Sequence, residues 1–428
     1  MTATMLARYL VGDRAAILAL AATRGAWLVG LVFVLGAGLA REYDHEDLLH
    51  EPWHGLLPLA ASLITATILY LLLRLVSWRR SGVGWPARGG YPAFLALYWG
   101  TAPLAWLYAL PVERVLPVGE AVGANLWLLA IVSVWRVVLM SRVVQVVWRC
   151  HGFEAFHVVG CFAWGVASAA MFLAKLPLIT VMGGIELGPG EALLAEVTLG
   201  VLFALVFSTP WWLVVIAVIV LVIPRVPGGP WTPDPAFASD AEPVATSTWR
   251  LATALVCVGL LLLPFTQPEQ RRRHSVEMAL RAGDVAGAVA AMMRDGPDAY
   301  PPHWDPPPRT GFGERLPGLP ALVEGLAAAD APAWLRGMFL AKAANLEELA
   351  GPGGEVAVLD DAALTRYVDA LERLPEGPRL AAIHLRTLKQ HRARLREDAP
   401  QPSEARQALL ERLRAMAPPV EKDRTADE

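Results

Sequence analysis

The sequence predicts an all-α protein: a polytopic helical membrane bundle of six or seven spans, followed by a soluble all-helical C-terminal domain. Three observations predict it. Of 428 residues, 55% are apolar and only 18% are charged, where globular domains carry about 25% charged residues. Nearly all the long apolar runs lie in residues 1–267. Residues 268–428 are instead charged and Ala-rich, with apolar residues at helical spacing. Acids and bases nearly balance there, and the whole chain carries a formal charge of −3. Bulk charge therefore gives no reason to expect a nucleic-acid partner.

Residues 1–24 hold Arg8, Asp13, Arg14 and Arg24 and lack a small-residue cleavage site after a short apolar core. They read as an amphipathic segment on the membrane surface rather than a cleaved signal peptide. Apolar runs then predict spans near 25–40, 55–77, 92–110, 124–141, 156–182, 192–223 and 250–266, since a span needs about 20 mostly apolar residues. Residues 25–223 form the bundle. The run 192–223 is too long for one perpendicular helix. Within it, Pro210 in STPWW is expected to kink or break the helix, and Trp211 and Trp212 suit a membrane–water interface.

The loops alternate in charge. Residues 74–88 carry Arg74, Arg79, Arg80 and Arg88, and 142–151 carry Arg142, Arg149 and His151. REYDHEDLLHEPWH at 41–54 is acidic, and GGIELGPGE at 183–191 has no base. The positive-inside rule puts the N-terminus in the cytoplasm and 41–54, 111–123 and 183–191 outside. Seven passes would export the C-terminal domain, yet RRRH at 271–274 favours the cytoplasm. The expectation is a cytoplasmic tail, with one of the seven candidates not spanning.

Residues 224–249 are a Pro-rich linker, expected to be extended and mobile. Residues 250–267 form the last transmembrane helix. The soluble domain, 268–428, opens with a helix-turn-helix pattern around 281–293, broken at Gly283-Asp284, and contains a Pro-rich connector at 300–318. Helical spacing returns near 319–328, 332–350, 361–374, 378–397 and 403–416.

Lys is scarce (Lys175, Lys342, Lys389 and Lys422) and Arg, Ala, Gly and Pro abound. That coding bias points to a GC-rich bacterium and so to a bacterial inner (cytoplasmic) membrane. Cys150, Cys161 and Cys257 form no metal pair or disulfide framework and read as small buried hydrophobes.

The chemistry-bearing candidates are few. HEPWH at 50–54 matches H-E-x-x-H, in which two His one helical turn apart ligate zinc and the Glu activates a water. Pro52 argues against it. Proline suits the start of a helix rather than its interior, so His50 is expected to precede the helix that holds His54. His45, His50, Glu51 and His54 still leave room for a loop-borne metal site with zinc as the alternative cofactor; the leading expectation is no cofactor. Arg136, Lys175 and Glu196 are intramembrane polar candidates, since ionisable groups in lipid are costly and often functional. Interface anchoring is the plainer reading of each. Gly160, Ala163, Gly165, Ala167 and Ala170 permit close helix packing. His384 and His391 lie on an Arg-rich helix and are expected to face solvent. No P-loop, G-x-S-x-G, kinase set or dinucleotide fingerprint occurs, and no catalytic residue is assigned.

DLLHEPWHGLLPLA, RGGYPAFLALYWGTAPLAWLYALP and ANLWLLAIVSVWRVVLMSRVV, followed by a small-residue helix, span residues 41–165. This stretch resembles bacterial members of the Yip-type membrane domain. The resemblance implies a multi-helix membrane scaffold without known catalysis and supplies no site residues. The function expected is a non-enzymatic integral membrane scaffold in contact with the lipid bilayer, whose tail docks a protein partner. The alternatives are a metal-dependent membrane enzyme using HEPWH and a small-solute transporter using Glu196.

Overall fold

The structure, a computed structural model, describes residues 2–40, 52–81, 90–110, 112, 116–173, 189–218, 231–239, 242–300, 317–350, 355–394 and 403–417. The chain divides into two compact units, Met1–Gln267 and Pro268–Glu428.

Unit 1 opens with helices α1 (Ala3–Leu10) and α2 (Arg14–Ala22). Gly12, at φ 78°, turns the chain between them, and the Asp13 carboxylate accepts from the Ala16 amide at 2.8 Å, capping α2. These helices do not merely lie on a surface as the sequence suggested. Leu6, Tyr9, Ile17 and Leu20 are fully enclosed in the core of the bundle.

A two-residue strand, β1 (Thr23–Arg24), leads into α3 (Ala26–Ala40). The bundle continues with α4 (Trp53–Ser81), α5 (Gly90–Trp99), a 3₁₀ helix at Ala102–Ala109, α6 (Val118–Val147), α7 (Gly152–Leu173) and α8 (Pro189–Ala217). Strand β2 (Glu242–Pro243) then pairs in parallel with β1 and leads into α9 (Thr246–Arg281).

Among the described residues, four helices are long and apolar enough to cross a membrane: Gly55–Arg80, Gly119–Val147, Gly152–Met171 and Glu196–Ala217. This corrects the expected six or seven. Helix α3 has 15 residues, or about 22 Å at 1.5 Å per residue, against a hydrocarbon core of about 30 Å. The expected span at 92–110 is divided at Gly100, because Pro103 cannot donate to the Trp99 carbonyl and the chain resumes as a 3₁₀ helix. The described apolar part of α9 is Thr246–Leu261, also short. Helix α8, by contrast, is not broken at Pro210. Ser208 Oγ and Thr209 Oγ1 both donate to the Leu205 carbonyl at 3.1 and 2.8 Å.

The part of the linker at 231–239 does not run free. Trp231 is fully buried, and Phe237 lies against Trp148 with ring centroids 5.6 Å apart. Apolar residues in a Pro-rich stretch gain more from the core than the stretch gains from staying loose.

The regular elements among the described residues of unit 2 are all helices: the end of α9, then α10 (Val285–Asp295), α11 (Leu319–Ala328), α12 (Ala333–Ala350), α13 (Asp361–Leu371), α14 (Gly377–Arg394) and α15 (Glu404–Met416), with short 3₁₀ turns between some of them. The helical spacing of the sequence anticipated these elements closely. At the 281–293 break, Gly283 takes φ 77° and Asp284 caps α10 through the Gly287 amide at 2.8 Å. Leu280, Met292, Leu322, Phe339, Tyr367 and Leu371 share a separate core.

Candidate functional site

Two polar constellations are built into unit 1. The first lies within the bundle, between α4 and α5. Ser62, Thr65 and Thr67 each return a hydroxyl proton to a carbonyl one turn back on α4. Their oxygens then accept from α5: Trp99 Nε1 to Ser62 at 3.1 Å and Tyr98 Oη to Thr65 at 3.0 Å. Tyr91 Oη and Thr67 Oγ1 stand 2.6 Å apart. Tyr9 of α1 donates to the Leu97 carbonyl. Arg136 enters this group from α6, half-buried, with its guanidinium carbon 5.7 Å from the centre of the Tyr98 ring. A cation over an aromatic face recovers about 0.5–2 kcal/mol, against an insertion cost of about 2.5–3.5 kcal/mol at a span centre. This group joins helices by hydrogen bonds. Its members are hydroxyls, an indole, phenols and one guanidinium.

The second constellation holds residues 231–239 to the ends of α4, α6 and α7. Ser77 Oγ donates to the Trp231 carbonyl at 2.6 Å, and Trp231 Nε1 donates to Glu154 Oε2 at 3.0 Å. Arg80 meets Glu154 Oε1 at 3.3 Å with its side chain only 7% exposed. The Asp234 amide donates to the Val147 carbonyl at 2.7 Å, and the Ala238 amide to the Ala21 carbonyl at 3.1 Å. Arg24, Arg74, Arg79, Arg142, Arg149 and Arg250 are exposed around this same end, hereafter the arginine end.

The sequence candidates fare unevenly. His45, His50, Glu51 and Lys175 lie outside the described residues. Helix α4 begins at Trp53, so His54 falls in its first turn and His50 precedes it. Among the described residues, no group of three or more His, Cys, Asp or Glu is gathered as a metal site would be. Glu196 is exposed at the first residue of the apolar window of α8. Of the small residues on α7, Gly160 meets Trp212 of α8 so closely that a Cβ there would come within 2.7 Å of the ring, whereas Gly165 faces open space.

The cysteines are less enclosed than expected: Cys150 and Cys161 are half-buried and Cys257 is exposed. Burial still pushes the Cys150 thiol up to about 12, which leaves it inert at neutral pH. His384 is a correction. It is fully buried beside Tyr367, whose Oη lies 2.6 Å from Nε2. Burial pulls its pKa down to about 4. It sits on the same face of α14 as Leu380, Ala381 and Ile383, all buried, and the nearby arginines in the sequence obscured that face. The side chain of His391 lies outside the described residues.

Both constellations escaped the sequence. The hydroxyls of SLITAT read as ordinary residues of an apolar run, and Glu154 and Trp231 are 77 positions apart. No known protein family, curated protein or solved structure matches the chain, so the Yip-type resemblance rests on its quoted residues alone.

Proposed function

We propose that this protein is a non-enzymatic integral membrane scaffold of a bacterial cytoplasmic membrane, with an N-terminus in the cytoplasm and a C-terminal helical unit that docks a protein partner. The observation that carries it is the outer surface of the long helices. Leu56, Ile64 and Leu71 on α4, Trp127 and Val134 on α6, and Phe207 and Leu213 on α8 are all exposed. A fully buried Leu, Ile or Phe gains about 1.5–3 kcal/mol. Leaving these faces in water would forfeit a sum comparable to the whole stability of a domain, about 5–15 kcal/mol. Lipid removes that conflict.

Trp53 and Trp78, both exposed, bracket α4. They are separated by about 37 Å along the axis at 1.5 Å per residue, near the span of a hydrocarbon core with its interfaces. The expectation of six or seven passages is taken up here in a modified form. Four long helices face lipid, and α3, α5 with its 3₁₀ extension, and α9 run between the same two ends while short or divided. Phe94 to Trp99 are buried without interruption, so α5 has neighbours rather than lipid to match.

The test is extraction. Membranes washed at alkaline pH should retain the protein, and detergent should release it. Recovery in the alkaline supernatant would end the membrane reading. The partner reading is tested with the purified full-length protein in detergent: one reproducible partner lost on removal of 268–428 supports it, and no such partner sinks it. The metal alternative is tested by metal content beside His50→Ala and His54→Ala. Stoichiometric zinc lost in both variants would replace the scaffold reading with an enzyme one. Flux that survives Glu196→Gln would remove the transporter alternative.

A further inference from the structure

The basic cluster at 271–274 argues for a cytoplasmic C-terminal unit, but the course of α9 within unit 1 argues the reverse. The start of α9 is fixed at the arginine end. The hydrogen bonds of Trp231, Asp234 and Ala238 hold the preceding chain there, and β2 pairs with β1 in parallel, Thr23 opposite Glu242 and Arg24 opposite Pro243. Each strand leads directly into a helix, β1 into α3 and β2 into α9.

The two helices then keep step. A Cβ on Gly36 would lie 3.8 Å from Val256 Cγ2, and one on Gly259 would lie 3.5 Å from Leu39 Cβ and 3.2 Å from Trp106 Cη2. From the strands to Leu39 the two partners keep the same sequence offset to within one residue. Helix α9 therefore runs parallel to α3, away from the arginine end. Helix α3 finishes at the opposite end, where Gly38 touches the Gly55 carbonyl at the start of α4. Gly123 and Leu193, near the starts of α6 and α8, also meet at that end, 3.6 Å apart by the same measure. The described residues of unit 1 there, up to Gln267, include no Lys or Arg.

We infer that α9 carries the chain across the membrane from the arginine end to the opposite face, so that residues 268–428 are extracytoplasmic and the partner they dock is an extracytoplasmic protein. This rests on the membrane reading above. The positive-inside rule weighs charges flanking all the passages together. Six exposed arginines surround the start of α9, whereas Arg273 in the later cluster is itself buried, leaving Arg271 and Arg272 exposed. The local cluster is outweighed.

The experiment is cysteine accessibility in the full chain, in a variant whose three native cysteines are changed to serine. Ala15→Cys reports the arginine end and Glu411→Cys the C-terminal unit; both positions are exposed. A membrane-impermeant maleimide applied to intact spheroplasts should label Glu411→Cys fully and Ala15→Cys only after permeabilisation. Protease added outside should likewise remove the C-terminal unit and spare an N-terminal tag. Labelling of both only after permeabilisation, in protein that resists alkaline extraction, would place both on the cytoplasmic face and overturn the inference. So would the reverse pattern, with Ala15→Cys outside. Recovery of the protein in the alkaline supernatant is a separate result, which fells the membrane reading first.

Discussion

At the scale of single residues, charge and burial set the most testable costs. Arg80 is nearly enclosed, and Glu154 gives one carboxylate oxygen to it and the other to Trp231. Glu154→Ala removes both bonds at once. Glu154 keeps 27% of its side chain in solvent, so the loss falls below the figure for a fully buried pair: about 1–3 kcal/mol. Thermal unfolding in detergent should show it, and Trp231→Phe should cost less once Glu154 is gone. The Asp13 carboxylate is held below the usual range by the Ala16 amide and then Arg8, but it is half-buried, and its partner Arg8 is exposed, so the pair carries little.

His384 makes a prediction with a sign. Its folded pKa, about 4, lies below the ordinary 6.5, so folding favours the neutral ring. That contribution is complete above pH 6.5 and is lost as pH falls from 6.5 towards 4, by up to about 3 kcal/mol in all. Urea unfolding of 268–428 across that window should therefore weaken with acid. His384→Leu should flatten this part of the profile. An equal slope in the variant would assign the acid sensitivity elsewhere.

At the scale of elements, caps and close approaches decide. Asp284 is the N-cap of α10, and Asp284→Ala should destabilise unit 2 by about 1 kcal/mol in the same urea assay. Gly160 allows α7 to receive Trp212 of α8. A larger residue there must displace an indole, and Gly160→Leu should cost about 1–3 kcal/mol. Gly165→Leu, with open space around it, should be nearly neutral in detergent. Equal effects at the two glycines would show that the small-residue run acts as a whole and not through one contact. The sequence displayed the run but could not distinguish these positions, because helical spacing names a face and not its neighbour.

At the scale of the whole molecule, the bilayer supplies what water cannot. The exposed apolar faces of α4, α6 and α8 predict that the protein, once extracted, aggregates on dilution below the critical micelle concentration and stays monodisperse above it; light scattering checks this. The span count shows the limit of reading hydropathy alone. Apolar runs report that a segment avoids water, but a helix buried among other helices and a helix facing lipid give the same signal. Helix α5 is buried among its neighbours, whereas α8 leaves Phe207 and Leu213 exposed.

The sequence by itself determined the helical class, the change of character near residue 268, the helix positions of the C-terminal unit and the break at Gly283-Asp284. These depend on composition and on residues within a turn or two of one another, which a linear reading can see. Only the tertiary structure decided that, among the described residues, four helices meet the length and apolarity of a span by themselves, that the Pro-rich stretch at 231–239 is enclosed, that His384 is buried, and that α9 runs parallel to α3. Each of these depends on partners dozens to hundreds of residues apart, as with Trp231 and Ser77 or Leu39 and Gly259, and no local periodicity records such a partner.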